Sequence, residues 1–205
     1  MKRAHTFWDV VAPVYDLATL RGQEGARQAV AYTAERLTPA DLLLDVACGT
    51  GLFACALAPQ VWRVLDCDIS PAMVARTRAR ARRKKLGNLA ARTGDITALP
   101  LADDVVDAAV AGNVLHLLEE PERAVAELKR VVRPGGYIAV PCYVLIGSTR
   151  DTGHRPLWHH ARFSPAQQWQ AEDLLSHLEH WGLHVENHRV FAAFRPLCVA
   201  RCRNA

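Results

Sequence analysis

A chain of 205 residues has room for one full-sized hydrophobic core and is short for two, so a single domain spanning 1–205 is expected. Apolar residues make up 50% and charged residues 22%, the profile of a soluble globular protein, and a net charge of +4 is too mild for a dedicated nucleic-acid binder or a membrane-surface protein. The N-terminal stretch MKRAHTFWDVVAPVYDL starts basic, but Asp9 and Pro13 interrupt its apolar positions. It does not read as a signal peptide, no run approaches a membrane span, and the expected location is cytoplasmic.

In chain order, residues 23–37 predict a helix closed by Thr38-Pro39, after which an alternation begins. Residues 42–47 (LLLDVA) have the length and apolarity of a buried strand, and LFACALAPQ opens a helix that stops near Pro59. Residues 61–68 predict a second strand, and Ser70-Pro71 supplies an N-cap and an N1 proline for a helix to about Lys85. Residues 89–95 and 105–113 predict the third and fourth strands. Residues 121–132 form an amphipathic helix broken by Pro134-Gly135-Gly136, and 137–145 a fifth strand. Strand and helix alternating at this spacing imply parallel strands joined by right-handed crossovers, the doubly wound α/β sheet.

The tail departs from this rhythm. Ser164-Pro165 introduces a helix over 166–181, followed by strand-like runs at 183–190 and 194–202. Their link is too short for a crossover, so an antiparallel pair is expected at one end of a mostly parallel, seven-stranded sheet. The six cysteines include no Cys-x-x-Cys pair; Cys48, Cys55, Cys67, Cys142, Cys198 and Cys202 lie in or beside apolar segments and read as buried free thiols. His177, His180 and His184 have helical spacing, but Gly182 ends the helix before His184, and no metal site is read there.

The chemistry concentrates where the first strand ends. Asp45 is followed almost at once by Gly49-Thr50-Gly51, and in a parallel sheet ligands sit outside the carboxyl ends of the strands. The glycines permit a tight turn and a close ligand, with the next helix directing free amides toward it. Gly49 to Ala54 satisfies the dinucleotide pattern G-x-G-x-x-[G/A], and Asp68 ends the second strand where a ribose-binding acid belongs, so the pattern alone leaves NAD open. Asp45 tips the balance. A carboxylate beside the loop repels a pyrophosphate, whereas S-adenosylmethionine carries no phosphate and brings an ammonium and a sulfonium.

At these residues the chain resembles the class I S-adenosylmethionine-dependent methyltransferases of the methyltransferase type 11 group, which includes the ubiquinone/menaquinone methyltransferases. LLLDVACGTG is similar to the first motif of that family, with Ala47 in place of its frequent first glycine, and VLDCDISPAMV resembles the second. The resemblance implies that Asp45, Ala47, Gly49 and Gly51 form the cofactor loop, that Asp68 takes the ribose hydroxyls, and that Ile69 and Met73 flank the adenine. TGDITALPLADDVVDAAVAGNVLHLL resembles the third and fourth motifs, which implies Asp95 and Ile96 at the adenine edge and Asn113 along the cleft. FWDVVAPVYDLA is like the segment that opens many of these enzymes, in which the Tyr15 region covers the cofactor.

Methyl transfer from a sulfonium is an in-line displacement with an activated donor, so a base is optional and the protein mainly aligns nucleophile, methyl and sulfur. His116, after the fourth strand, is the first candidate for such a base. The acceptor is expected against residues 141–163, where Tyr143, His154, Trp158, His159 and His160 offer aromatic surface and titratable nitrogens. The basic run from Arg76 to Lys85 spreads around one helix, and Asn113 is followed by Val114-Leu115 rather than by the Pro-Pro-aromatic signature of nucleic-acid amino methylation. Both favour a small-molecule acceptor over nucleic acid. Two other readings stay open: a nicotinamide-dependent oxidoreductase on the same sheet, and an S-adenosylmethionine-binding protein without turnover.

Overall fold

The computed structural model describes residues 2–19, 23–145, 167–192 and 195–205. The apolar runs become β1 (Leu42–Val46), β2 (Arg63–Asp68), β3 (Leu89–Thr93), β4 (Val106–Ala111) and β5 (Val132–Tyr143), all mutually parallel where they pair. The tail adds β6 (Leu183–Phe191) and β7 (Leu197–Asn204), which pair antiparallel with each other, and β7 pairs antiparallel with β5. The seven strands lie in the order β3-β2-β1-β4-β5-β7-β6, so the expected mostly parallel sheet with an antiparallel end is what forms. The helices are α1 (Lys2–Val11), α2 (Tyr15–Ala18), α3 (Gln23–Ala34), α4 (Leu52–Leu57), α5 (Pro71–Arg83), α6 (Pro121–Val131) and α7 (Ala171–His180).

Alternation along each strand splits the core in two. Leu44, Val46, Ala109 and Ile138 face one side, where they meet Leu128 of α6 and Leu174 and Leu178 of α7. Leu43, Val64, Ala108 and Val199 face the other, against Ala29 and Tyr32 of α3 and Phe53 and Leu57 of α4. A sheet buried on both faces needs strands apolar at successive positions, which is why β1 and β4 read as continuous apolar runs. Each fully buried Leu or Val contributes about 1.5–3 kcal/mol.

Two boundaries differ from expectation for local reasons. Pro134-Gly135-Gly136 does not end the element before a new strand; β5 runs through it from Val132 as a bulge. Val106 faces Val132 and Ala108 faces Tyr137, so the residues between are extruded. A Cβ at Gly136 would lie 2.5 Å from Val132 Cγ1 and 2.8 Å from the Asp107 carbonyl. The last helix does not cover Gln167–Gln170. It starts at Ala171, where Gln170 and Asp173 form a capping box, while the Leu145 N–H donates to the Trp169 carbonyl and holds that stretch extended against the end of β5. Ser164 and Pro165 lie outside the described residues.

Gly51 precedes α4 at φ 76°, and a Cβ there would sit 2.9 Å from both Thr77 Cγ2 and Thr77 Oγ1 of α5. Gly51→Ala is therefore expected to lose about 2–4 kcal/mol in urea denaturation, from left-handed backbone strain plus overpacking. Adding Thr77→Ala should recover the packing part only. Full recovery would show that the backbone carries no strain there.

Candidate active site

The strand order reverses between β1 and β4, and a cleft opens there beyond the carboxyl ends of β1, β2 and β4. After Val46 the chain turns through three left-handed residues, Ala47 (φ 51°), Gly49 (φ 55°) and Gly51 (φ 76°). Ala47 and Gly49 line the cleft, and a Cβ on Gly49 would meet nothing within 4 Å, so its face is open to a ligand. Gly51 points the other way, onto Thr77, and its part is to let α4 approach α5.

Asp68, 7% exposed, forms the opposite wall. Its Oδ2 accepts the Gly49 N–H at 2.8 Å and its Oδ1 accepts the Ser70 N–H at 2.8 Å, tying the loop to the start of α5. A carboxylate has about four lone-pair positions, so one remains on each oxygen. Burial raises its pKa, opposed by those two backbone bonds, and the Asp9 charge adds to the rise. Ile69 and Met73 continue this wall, and the Met73 N–H donates to Ser70 Oγ in the N-cap of α5. Asp95 and Ile96 line the cleft from the end of β3, with Asp95 Oδ1 accepting from Thr97 N and Oγ1 to close a local turn. Asn113, at φ 55°, also lines it; its N–H donates to the Pro141 carbonyl at 2.7 Å and its Oδ1 accepts the Tyr143 N–H, bracing β4 against β5.

The N-terminal segment supplies the roof. Trp8 and Tyr15 line the cleft with their rings edge-on at 6.1 Å. Burial, with the charges of Tyr143, Asp68 and Asp16 adding, raises the Tyr15 pKa, so its hydroxyl stays protonated close to Asp68 and Tyr143. Two aspartates latch this roof. Asp9 Oδ1 accepts Ser70 Oγ at 2.5 Å and Ala72 N at 3.1 Å, at the N-terminus of α5 where a negative charge is favoured. Asp16 accepts Thr50 Oγ1 at 2.6 Å and pairs with Arg80 at 2.9 Å and Arg76 at 3.6 Å. Trp8, Asp9 and Asp16 are the residues the sequence reading missed. The signal was the pair Arg76 and Arg80 at i, i+4, which meets Asp16, but the partners of the two acids lie between 34 and 64 positions away.

Besides Gly51, three expected site residues fall elsewhere. Asp45 does not face the cleft: pleat alternation turns it under α4, where it is 2% exposed and accepts the Ala54 N–H at 3.0 Å. Burial pushes its pKa up to about 7, against the Ala54 N–H and with the Asp68 charge adding. His116 is not among the lining residues either; Leu117 and Leu118 take that place. Its Nδ1 lies 3.4 Å from Cys142 Sγ, and burial, with the Arg195 charge, drops its pKa to about 4. Tyr143 stands beside His116, ring centroids 6.5 Å apart, behind Asn113. His154, Trp158, His159 and His160 lie outside the described residues.

Residues 44–140 match the methyltransferase domain family. S-adenosylmethionine is the cofactor the family implies. The chain is 34% identical over 136 residues to an arsenite methyltransferase of Halobacterium salinarum, covering 64% of this chain and 34% of that protein. It is 35% identical over 136 residues to a demethylmenaquinone methyltransferase of Renibacterium salmoninarum, covering 65% and 55%. It therefore spans between a third and somewhat over half of these relatives. In fold it is similar to the [4+2]-cyclase SpnF (TM-score 0.81, 21% identity, covering 98% of this chain and 95% of that one). It is also similar to an S-adenosylmethionine-dependent methyltransferase from Aquifex aeolicus (TM-score 0.69, 22% identity, covering 88% and 89%).

Burial works against it, yet the Thr50 hydroxyl and the Arg80 and Arg76 guanidiniums hold the Asp16 carboxyl below its usual pKa. Its latch is thus complete above about pH 4 and is lost as pH falls through the lowered value. At pH 7, Asp16→Asn is expected to speed hydrogen exchange of amides 7–17 roughly three- to tenfold, the range of one lost hydrogen bond of about 1 kcal/mol. Unchanged exchange would mean that Asp9 alone holds the roof.

Proposed function

We propose that the cleft binds S-adenosylmethionine and that the protein transfers its methyl group to a small organic acceptor by in-line displacement. One observation carries this. Asp68 and Asp95 line the cleft, and no Lys or Arg does among the described residues. The Gly49 amide, which a phosphate cradle would need, is already spent on Asp68. Such a site repels a pyrophosphate and suits a cationic ligand, which weighs against the nicotinamide reading. In this reading the two remaining lone pairs of Asp68 accept the ribose hydroxyls, and Ile69, Met73 and Ile96 enclose the adenine. Gly49 and Ala47 leave room for the amino-acid end.

The cofactor supplies an activated methyl group. The chain's own contribution is alignment and exclusion of water: Trp8 and Tyr15 close over the cleft, and Asn113 fixes the ends of β4 and β5 where donor and acceptor meet. A neutral imidazole with a pKa near 4 is a weak base, so transfer relies on the acceptor's own nucleophilicity rather than on His116.

Val114, Leu117 and Leu118 make the rest of the cleft apolar, which fits an aromatic or lipid-like acceptor of the kind the demethylmenaquinone methyltransferases are named for. An arsenite acceptor fits less well. All six cysteines are buried, and no group of three or more His, Cys, Asp or Glu that could hold a metal ion occurs among the described residues. Six free thiols suit a reducing compartment such as the cytoplasm. No helix of the described residues is long and apolar enough to cross a membrane.

Calorimetric titration with S-adenosylhomocysteine should show binding that weakens by about 1–3 kcal/mol in Asp68→Ala, the cost of leaving the ribose hydroxyls unpaired. Equal affinity in both proteins would remove Asp68 from the site. Because the cyclase SpnF shares the fold, methylated product from a panel of quinol and phenol acceptors is the measurement that separates turnover from cofactor binding alone.

A further inference from the structure

Two buried carboxyls lie side by side beneath the cleft. Asp45 and Asp66 are partners in the β1–β2 register, so they project from adjacent strands to the same side of the sheet, with Cα atoms about 4.8 Å apart. Asp45 has the Ala54 amide of α4 as donor. Asp66 is 1% exposed, and neither of its oxygens has a hydrogen-bond partner among the described residues. Two carboxylates this close in a low-dielectric interior do not both ionise. Asp66, without a donor, keeps its proton, and Asp45 is the member that loses one.

We propose that this pair is a one-proton site that makes the cleft prefer the cationic methyl donor over its neutral thioether product: the sulfonium drives one proton from Asp45 to solvent, and the thioether leaves it in place. The inference rests on the cofactor assignment above and adds a residue, Asp66, and a selectivity to it. Every neighbouring group is compatible. Asp68 at the end of β2 is the other anion that acts on Asp45. The thiols of Cys48, in the loop, and Cys55, on α4, are pushed up by burial with the aspartate charges adding, Cys55 to about 11, so both are neutral at pH 7. The charges of Arg80, on α5, and Lys84, at its C-cap, act on Cys55, but Arg80 is engaged by Asp16. α3 brings Tyr32 to the same core. No Lys or Arg pairs with Asp45 or Asp66 among the described residues, so a ligand that adds a positive charge changes the balance most.

Both ligands carry the same ammonium and carboxylate, and their difference isolates the sulfonium. Calorimetry at pH 7 in phosphate and in Tris, whose ionisation heats differ, should report a net release of protons with S-adenosylmethionine and close to none with S-adenosylhomocysteine, since burial and the Asp68 charge raise Asp45 toward neutral pH, where it holds its proton part of the time. The donor-to-product affinity ratio should rise about tenfold between pH 6 and 8, because deprotonation favours the cation. Asp45→Asn should flatten this rise. Asp66→Asn, a copy of the neutral acid, should keep it, and should raise Tm more at pH 8 than at pH 5. The sign follows from a native pKa above the unfolded one: the native state holds the proton that the unfolded chain gives up, so each unit of pH costs stability until the native group ionises. Equal proton release with both ligands, or a pH-dependent ratio that survives Asp45→Asn, would overturn the proposal. Failure of either ligand to bind would instead overturn the cofactor assignment.

Discussion

The carboxylate of Asp68 is the tie on which the cleft depends. By accepting one N–H from Gly49 and one from Ser70, it joins the loop after β1 to the cap of α5. Without it, the left-handed turn through Ala47 and Gly49 would keep the Thr77 hydroxyl on the Gly49 carbonyl but lose its tie to the second strand, and the strand ends that flank the cleft would be held less firmly. The roof hangs from the same point. Ser70, held by Asp68 through its amide, gives its hydroxyl to Asp9, so the N-terminal segment is connected to the loop after β1 through two short side chains. A charged acceptor in this position holds its donors more firmly than a neutral one would.

The distribution of charge explains why a strand-glycine-helix turn that elsewhere suits phosphates is read here as a site for a cation. Helix starts attract anions because their amides are free, but the amides that matter in this turn are not free. Gly49 donates to Asp68 and Ala54 donates to Asp45, so the positive end of α4 is neutralised from within the chain. What remains facing the cleft is carboxylate, aromatic ring and aliphatic surface. A second layer of carboxyls, Asp45 and Asp66, lies behind it with no cation paired to them among the described residues. That arrangement costs folding stability, and it is compensated by a core in which α4, α6 and α7 bury both faces of the sheet.

Much of this was legible from residue order. Parallel alternation, the antiparallel end, Ser70-Pro71 as a cap and the cleft residues Asp68, Ile69, Met73, Asp95, Ile96 and Asn113 all follow signals carried within a few positions of one another. Residue order puts Asp45 on its strand, but only the pleat decides its face. A carboxylate two residues before the loop reads as part of the loop, while the pleat, which fixes which side of the sheet it joins, depends on where the strand ends. Gly51 misled for the same reason: its left-handed turn is local, but its purpose is Thr77 on another helix.

The sequence by itself determined the elements, their types and most of their order, because helix caps, glycine turns and apolar periodicity act between neighbours in the chain. Only the tertiary structure decided the Asp9 and Asp16 latches, the extruded bulge in β5, the start of α7 at Ala171 and the meeting of Asp45 with Asp66. Each of these joins groups that the chain separates widely or depends on the register of one strand against another. Register and docking are settled by burying apolar surface across the whole sheet, a sum over many distant residues that no short stretch of sequence contains.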